Sequence, residues 1–204
     1  MRIILVPEKF RSIKSEIRVV GIDDGRFVPR TKGTAIVVGV VYRGGCWFEG
    51  VMHTKITIDG LDATANLAAM IKDSPYYGEL RVVVLDGITF AGFNVVDISE
   101  LSATVGLPVI SVVRDKPDLD EIKSALKNLS EFEQRWQSMQ NAGRLFVVEV
   151  RDGENPVYVQ TAGILIEDAK KILRMTSTRG NIPEPLRVAH LIASGLTASE
   201  NKKI

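Results

Sequence analysis

Two apolar runs in this chain end abruptly in aspartate. "VVGIDDG" (19–25) stops at Asp23 and Asp24, and "VVVLDG" (82–87) stops at Asp86. A carboxylate at the end of a buried strand is costly unless a positive group joins it, and two close together repel. A divalent cation answers both problems. Mg²⁺ takes hard oxygen ligands and keeps several waters, so two or three carboxylates, solvent and a phosphate oxygen suffice. Such a centre activates water and stabilises the leaving oxygen of a phosphodiester. A third acid, Asp59, stands where a strand gives way to a helix, with Asp24 and Asp62 competing for the first and third positions. The plainer alternative is structural: Asp-Gly is a common turn dipeptide, and Asp62 is placed to cap a helix.

The other reactive residue types are scattered. His53 and His190 have no ligand-type spacing to each other, so each reads as a surface or partly buried histidine. Cys46 beside Trp47 reads as packing. No Gly-x-x-x-x-Gly-Lys, Cys-x-x-Cys or Gly-x-Ser-x-Gly occurs, which removes P-loop, zinc-ribbon and α/β-hydrolase chemistry.

At 204 residues the chain suits one domain spanning 1–204, with its core over about 17–195. That length buries a sizeable core without disulfide or metal staples. The 45% hydrophobic fraction is ordinary for a soluble globular protein. A lone cysteine suits a reducing cytosol, and no apolar run is long enough for a bilayer, so a cytoplasmic protein with no membrane partner is expected. The apolar patch near the N-terminus is too brief for a signal peptide. Net charge is +1, which argues neither for nor against nucleic acid. Lys and Arg gather modestly at 2–32, at 170–187 and at the extreme C-terminus.

Elements must now bring the acids together. Residues 17–23 read as a central strand, "TAIVVGVVYR" (34–43) as a second and "CWFEGVMHTKITI" (46–58) as a third, joined by short turns into an antiparallel meander. In 61–73, Leu61, Ala65, Ala68 and either Ile71 or Lys72 follow a helical repeat with Asp62 as N-cap. A strand at 80–86, a short helix at 97–106 and a strand at 108–114 follow, an alternation that implies parallel pairing. Residues 118–142 read as two helices, split by a capping-box form in "SEFE" (130–133). A late hairpin (145–151 with 156–163) and helices at 166–180 and 184–195 close the chain. A meander followed by helix, strand, helix, strand is the ribonuclease H-like order, an α/β mixed sheet flanked by helices. It sets the fourth strand parallel beside the first, so Asp23 and Asp86 end neighbouring strands at the edge where α/β sheets bind ligands.

Four stretches, "VVGIDDGRF", "VVVLDGITFAGFNVVD", "GLPVISVVR" and "TRGNIPEPLRVAHL", together resemble an archaeal family similar to endonuclease V and labelled endonuclease dU. The likeness covers most of 17–195 and keeps the motif order. It implies that the strand-one aspartate of endonuclease V falls on Asp23 and its Asp-Gly aspartate on Asp86. The intervening glutamate falls on Asp59, one methylene shorter, and the basic residue ending the Leu-Pro strand on Arg114. It also implies a Mg²⁺ or Mn²⁺ site held by Asp23, Asp59 and Asp86, with Arg114 gripping a phosphate, a task its planar fork suits. Three features of endonuclease V have no counterpart here. These are the Pro-Tyr-Ile-Pro wedge, the His/Arg-bearing segment after Asp-Gly and the late histidine near Ala162-Gly163, so hypoxanthine recognition is not carried over. Gly87, Phe90, Phe93 and Asn94 are instead expected to line a pocket for a flipped base, the alternative being a packed loop. The function so implied is a metal-dependent endodeoxyribonuclease acting on DNA with a deaminated base, deoxyuridine by family. The alternatives are a non-catalytic nucleic-acid-binding module of the same fold and an RNA-directed nuclease.

Overall fold

The computed structural model describes residues 10–198. The N-terminal apolar patch and the C-terminal lysines lie outside the described residues. Strands β1 (Arg18–Asp24), β2 (Thr34–Arg43) and β3 (Trp47–Thr57) form the expected antiparallel meander. Helix α1 (Ala63–Lys72) leads to β4 (Val82–Asp86), which pairs parallel with β1 from Val19↔Val82 to Ile22↔Leu85. A small hairpin, β5 (Thr89–Phe90) and β6 (Asn94–Val95), precedes α2 (Ile98–Val105). Strand β7 (Val109–Val113) then pairs parallel with β4. Helices α3 (Leu119–Leu126) and α4 (Phe132–Asn141), strands β8 (Phe146–Val148) and β9 (Val157–Ala162), and helices α5 (Ile166–Thr176) and α6 (Glu184–Thr197) complete the order. The seven-stranded mixed sheet runs β3-β2-β1-β4-β7-β9-β8, the architecture read from the sequence.

Both faces of the sheet are covered, which is why its central strands read as unbroken apolar runs rather than alternating ones. Val20, Ile22, Val83 and Leu85 pack with Leu67 and Ile71 of α1 and Leu101 of α2. Their sequence neighbours Val19, Val82 and Val84 face the other way, onto Ile172 and Leu173 of α5 and Leu186 of α6. Among the described residues no helix is long and apolar enough to cross a membrane.

Local details depart from the sequence reading for physical reasons. The inner stripe of α1 is Ala63, Leu67, Ala68, Met70 and Ile71, while Leu61 is 41% exposed and Ala65 also faces solvent. Asp62 holds the N-cap position but makes no cap bond. Its carboxylate instead accepts from the backbone N–H and hydroxyl of Thr57 and from the Asn94 amide, while Asn94 Oδ1 accepts from the Ala63 N–H. The capping box at 130–133 does not form. Glu131 turns into the left-handed region (φ 57°), and the Ser130 carbonyl is taken by Arg135. Cys46 and Trp47 are exposed rather than packed.

One contact fixes the helix that matters most for the site. Gly21, midway along β1, lies against the backbone of Pro185 and Leu186 in the first turn of α6, and any Cβ there would fall inside that backbone. Backbone cannot yield as a flexible side chain does, so Gly21→Ala must lift α6 from the sheet. The expected cost is about 1–3 kcal/mol, read as a fall in melting temperature of about 2–4 °C per kcal/mol for a chain of this size. An unchanged melting curve would show that α6 is not seated through this contact.

Candidate metal centre

β1 and β4 end side by side because they pair parallel in register, and this brings Asp23 and Asp86 to the same sheet edge. A third group arrives from above. α6 crosses β1 with Leu186, Ala189 and Ala193 buried, which sets His190 over the strand end. The ring Nδ1 lies 2.8 Å from Asp23 Oδ2. One ligand atom from each of Asp23, Asp86 and His190 falls within 4.8 Å of the others.

The electrostatics of this trio are unfavourable as it stands. Asp23 is 5% exposed, and burial, then repulsion from Asp86 and Asp24, pushes its carboxyl up to about 6 despite the His190 contact and the Asp24 backbone N–H. Burial raises Asp86 as well, with Arg114 and His190 opposing it through their charge. The Asp86 carboxylate accepts no hydrogen bond among the described residues, and Arg114, exposed just beyond β7, acts on it without an ion pair. Two crowded carboxylates whose own neighbours do not neutralise them are what a hard divalent cation relieves. The donors fit Mg²⁺ or Mn²⁺: Asp23 and Asp86 supply carboxylate oxygens, with His190 beside them.

The other residues expected at the site take different places. Asp59 does not join the cluster. It sits in a turn at φ 50°, where its Oδ1 accepts from the Phe93 N–H at 2.9 Å, so the carboxylate secures the segment after β5. Asp24 does similar work, its Oδ2 accepting from the Ala91 N–H. Burial raises the Asp24 carboxyl too, against that hydrogen bond. Phe90 is 1% exposed and Asn94 fully buried, the latter with its amide spent on Thr57, Asp62 and Ala63, so neither is free to meet a base. Phe93 is half-buried. Gly87, at φ 77°, opens onto a cavity of about 640 Å³ between the sheet end and α4. Ile88, Thr89, Ser111, Trp136 and Gln140 also line it, and none of the described residues lining it is charged.

His190 had no sequence signal in its spacing to another ligand, because its partner lies 167 residues away. The usable clue was helical. Position 190 follows Leu186 by four and precedes Ala193 by three, so a histidine stands beside an otherwise apolar inner stripe.

Residues 15–197 match the family described as endonuclease dU. A UPF0215 protein of Methanothermobacter thermautotrophicus is 53% identical over 194 residues, covering 95% of this chain and 94% of its own. A protein of unknown function from Archaeoglobus fulgidus has a crystal structure that superposes with a TM-score of 0.80 at 39% identity, over 88% of this chain and 98% of that one. Endonuclease V of Ciona intestinalis, in complex with DNA containing an inosine followed by a ribo-adenosine, shares the fold. Its TM-score is 0.59 at 19% identity, over 92% of this chain and 87% of the other.

Repulsion at the trio is measurable without turnover. A carboxyl whose pKa is raised on folding adds stability below its unfolded value near 3.8, and that stability is lost as pH rises through about 6. Chelated protein should therefore be stabilised at pH 7 by Asp86→Asn, by about 1–2 kcal/mol given ~1.4 kcal/mol per pKa unit, and gain little at pH 4. Mg²⁺ or Mn²⁺ should raise the melting temperature of the parent and not of the variant. A variant less stable at pH 7 in chelator would contradict the electrostatic account.

Proposed function

The chain belongs to the endonuclease dU family, and on that premise we propose that it is a metal-dependent endonuclease cleaving a phosphodiester beside a deaminated base in DNA, deoxyuridine by family. The observation that carries this reading is the convergence of two buried carboxylates and an imidazole at the ends of adjacent parallel strands. DNA as partner is carried over from the Ciona endonuclease V complex by likeness of fold.

Asp23 and Asp86 would hold Mg²⁺ or Mn²⁺. A bound cation supplies Lewis-acid activation of water and neutralises charge gathering on the leaving oxygen. The protein's own groups do the rest. With its proton on Nδ1, the neutral His190 ring would donate to Asp23 Oδ2, 2.8 Å away, which fixes the ring and leaves the lone pair on Nε2. His190 is 54% exposed at its side chain, so Nε2 can take a proton from water approaching over the sheet edge. Arg114 stands by charge near Asp86 and would steady a phosphate oxygen. The uncharged cavity beside Gly87 takes the base. Ser111 Oγ and the Gln140 amide, unpaired among the described residues, can meet the edge of a neutral heterocycle.

The test is a nicking assay with labelled oligonucleotides carrying uracil, hypoxanthine or no lesion, each as DNA and as RNA, with Mg²⁺, Mn²⁺ or chelator. Cleavage should need the metal, favour the uracil-bearing DNA and vanish in Asp86→Ala. His190→Ala should retain metal binding while losing about 10²–10⁴-fold in rate, the usual worth of a positioned proton acceptor. Equal nicking by parent and Asp86→Ala would trace the activity to a contaminant and end the assignment. Indifference to the lesion would end the base-directed part alone.

A further inference from the structure

A second concavity, of about 820 Å³, lies on the other side of the β5–β6 hairpin from the uncharged cavity. Its walls are the loop after β1, with Phe27, Arg30 and Lys32, and the hairpin turn, with Gly92 and Phe93, while Asn128 and Leu129 come from the α3–α4 connection. We propose that this groove is a track for single-stranded nucleic acid, holding the strand as it leaves the acid centre. The proposal rests on the nuclease reading for its placement beside a cleavage site.

Charge supports a polyanion. Arg30 and Lys32 are exposed and enter no ion pair among the described residues, and neither does Arg26 on the same loop. At the opposite edge of the sheet Arg18 pairs with Glu49 and Glu79, and Arg43 with Glu16 and Glu49. The one acid lining the groove, Asp59, has its Oδ1 turned onto the Phe93 N–H.

The aromatic residues argue for an unpaired strand. Phe27 and Phe93 are both half-buried, so each offers part of a ring to the groove. Bases reach such rings only when they are not paired, and a cationic groove interleaved with aromatic rings is how single strands are held without regard to sequence. The groove also leads to the chemistry. Its loop begins immediately after Asp24, whose carboxylate bonds to Ala91 next to Gly92. The shape is specified as well, since Arg30 and Asp59, which line it, both hold left-handed backbone (φ 61° and 50°).

The test is binding of a short labelled single-stranded oligodeoxynucleotide in chelator, where nothing is cut, across a salt series. Arg30→Asn combined with Lys32→Gln removes both charges, and asparagine tolerates the left-handed backbone at position 30. This double variant should bind about fivefold or more weakly, and its slope of log affinity against log salt should flatten by about 1.4, at ~0.7 per phosphate contact on a single strand. Phe93→Ala should also lose about fivefold or more, with the slope unchanged. Lys72→Gln, on the far end of α1, should match the parent. The groove is overturned if the double variant binds like the parent, if Lys72→Gln weakens binding as much, or if duplex displaces the single strand more effectively than single strand does. Failure of the nuclease reading looks different: the parent would bind with these same losses in the variants yet cleave nothing with either metal.

Discussion

Two carboxylates share the dry end of a parallel strand pair, and much of the structure is arranged around that repulsion. Asp23 and Asp86 are side by side because β1 and β4 pair in register, so neither can move away without unpairing a central strand. Burial opposes the ionisation of both, and repulsion from Asp86 adds to it at Asp23. The protein's own answer is partial. It provides an imidazole against Asp23 and the charge of Arg114 acting on Asp86, and among the described residues it gives the Asp86 carboxylate no hydrogen bond. A site that over-stabilised its acids with arginine would hold them charged but leave no room for a cation. The incomplete compensation is what makes the cluster suited to a metal.

Holding the third member in place falls to packing rather than polar contacts. α6 reaches Asp23 because a residue without a side chain, Gly21, lets the helix backbone touch the strand one turn earlier. On the other flank Arg135 does comparable work with hydrogen bonds. It is 2% exposed, and its guanidinium donates to the carbonyls of Ser130, Gly60, Phe93 and Asp59. One side chain thereby joins α4, the turn after β3 and the β5–β6 hairpin. Asp59 and Glu131, both in left-handed backbone, lie at its ends. Such conformations persist where surrounding bonds over-determine them, and the Arg135 contacts are those bonds.

The sheet and its parallel pair were legible in the sequence because buried strands announce themselves by unbroken β-branched runs, and because the order of elements leaves few topologies. The two central acids were legible for the same reason, as polar stops to apolar runs. Three other things were not. His190 belongs to the site through a contact across most of the chain, and no spacing rule reports that. Asp59 looked like a ligand by position, but a single left-handed residue turns its carboxylate onto the Phe93 backbone. Asp62 looked like a cap, and Asn94 took the role from 32 residues away while Asp62 bonded Thr57 and Asn94. In each case a tertiary hydrogen bond outcompeted the local preference that a sequence pattern encodes.

The segment after Asp86 changes meaning accordingly. Its aromatic and amide residues invite a reading as recognition groups, but Phe90 and Asn94 point inward and give the hairpin its fold. What remains exposed is its rim. Gly87 to Thr89 face the uncharged cavity, and Gly92 and Phe93 face the cationic groove. The hairpin is thus a partition, with Asp24, Asp59 and Arg135 fastening its turn through backbone groups alone. A wall fastened by its backbone can change rim side chains without disturbing the acids at its base. On the proposed nuclease function, selectivity and chemistry would therefore occupy separate residues on one short stretch, and a change of preferred base would not need to alter the acids.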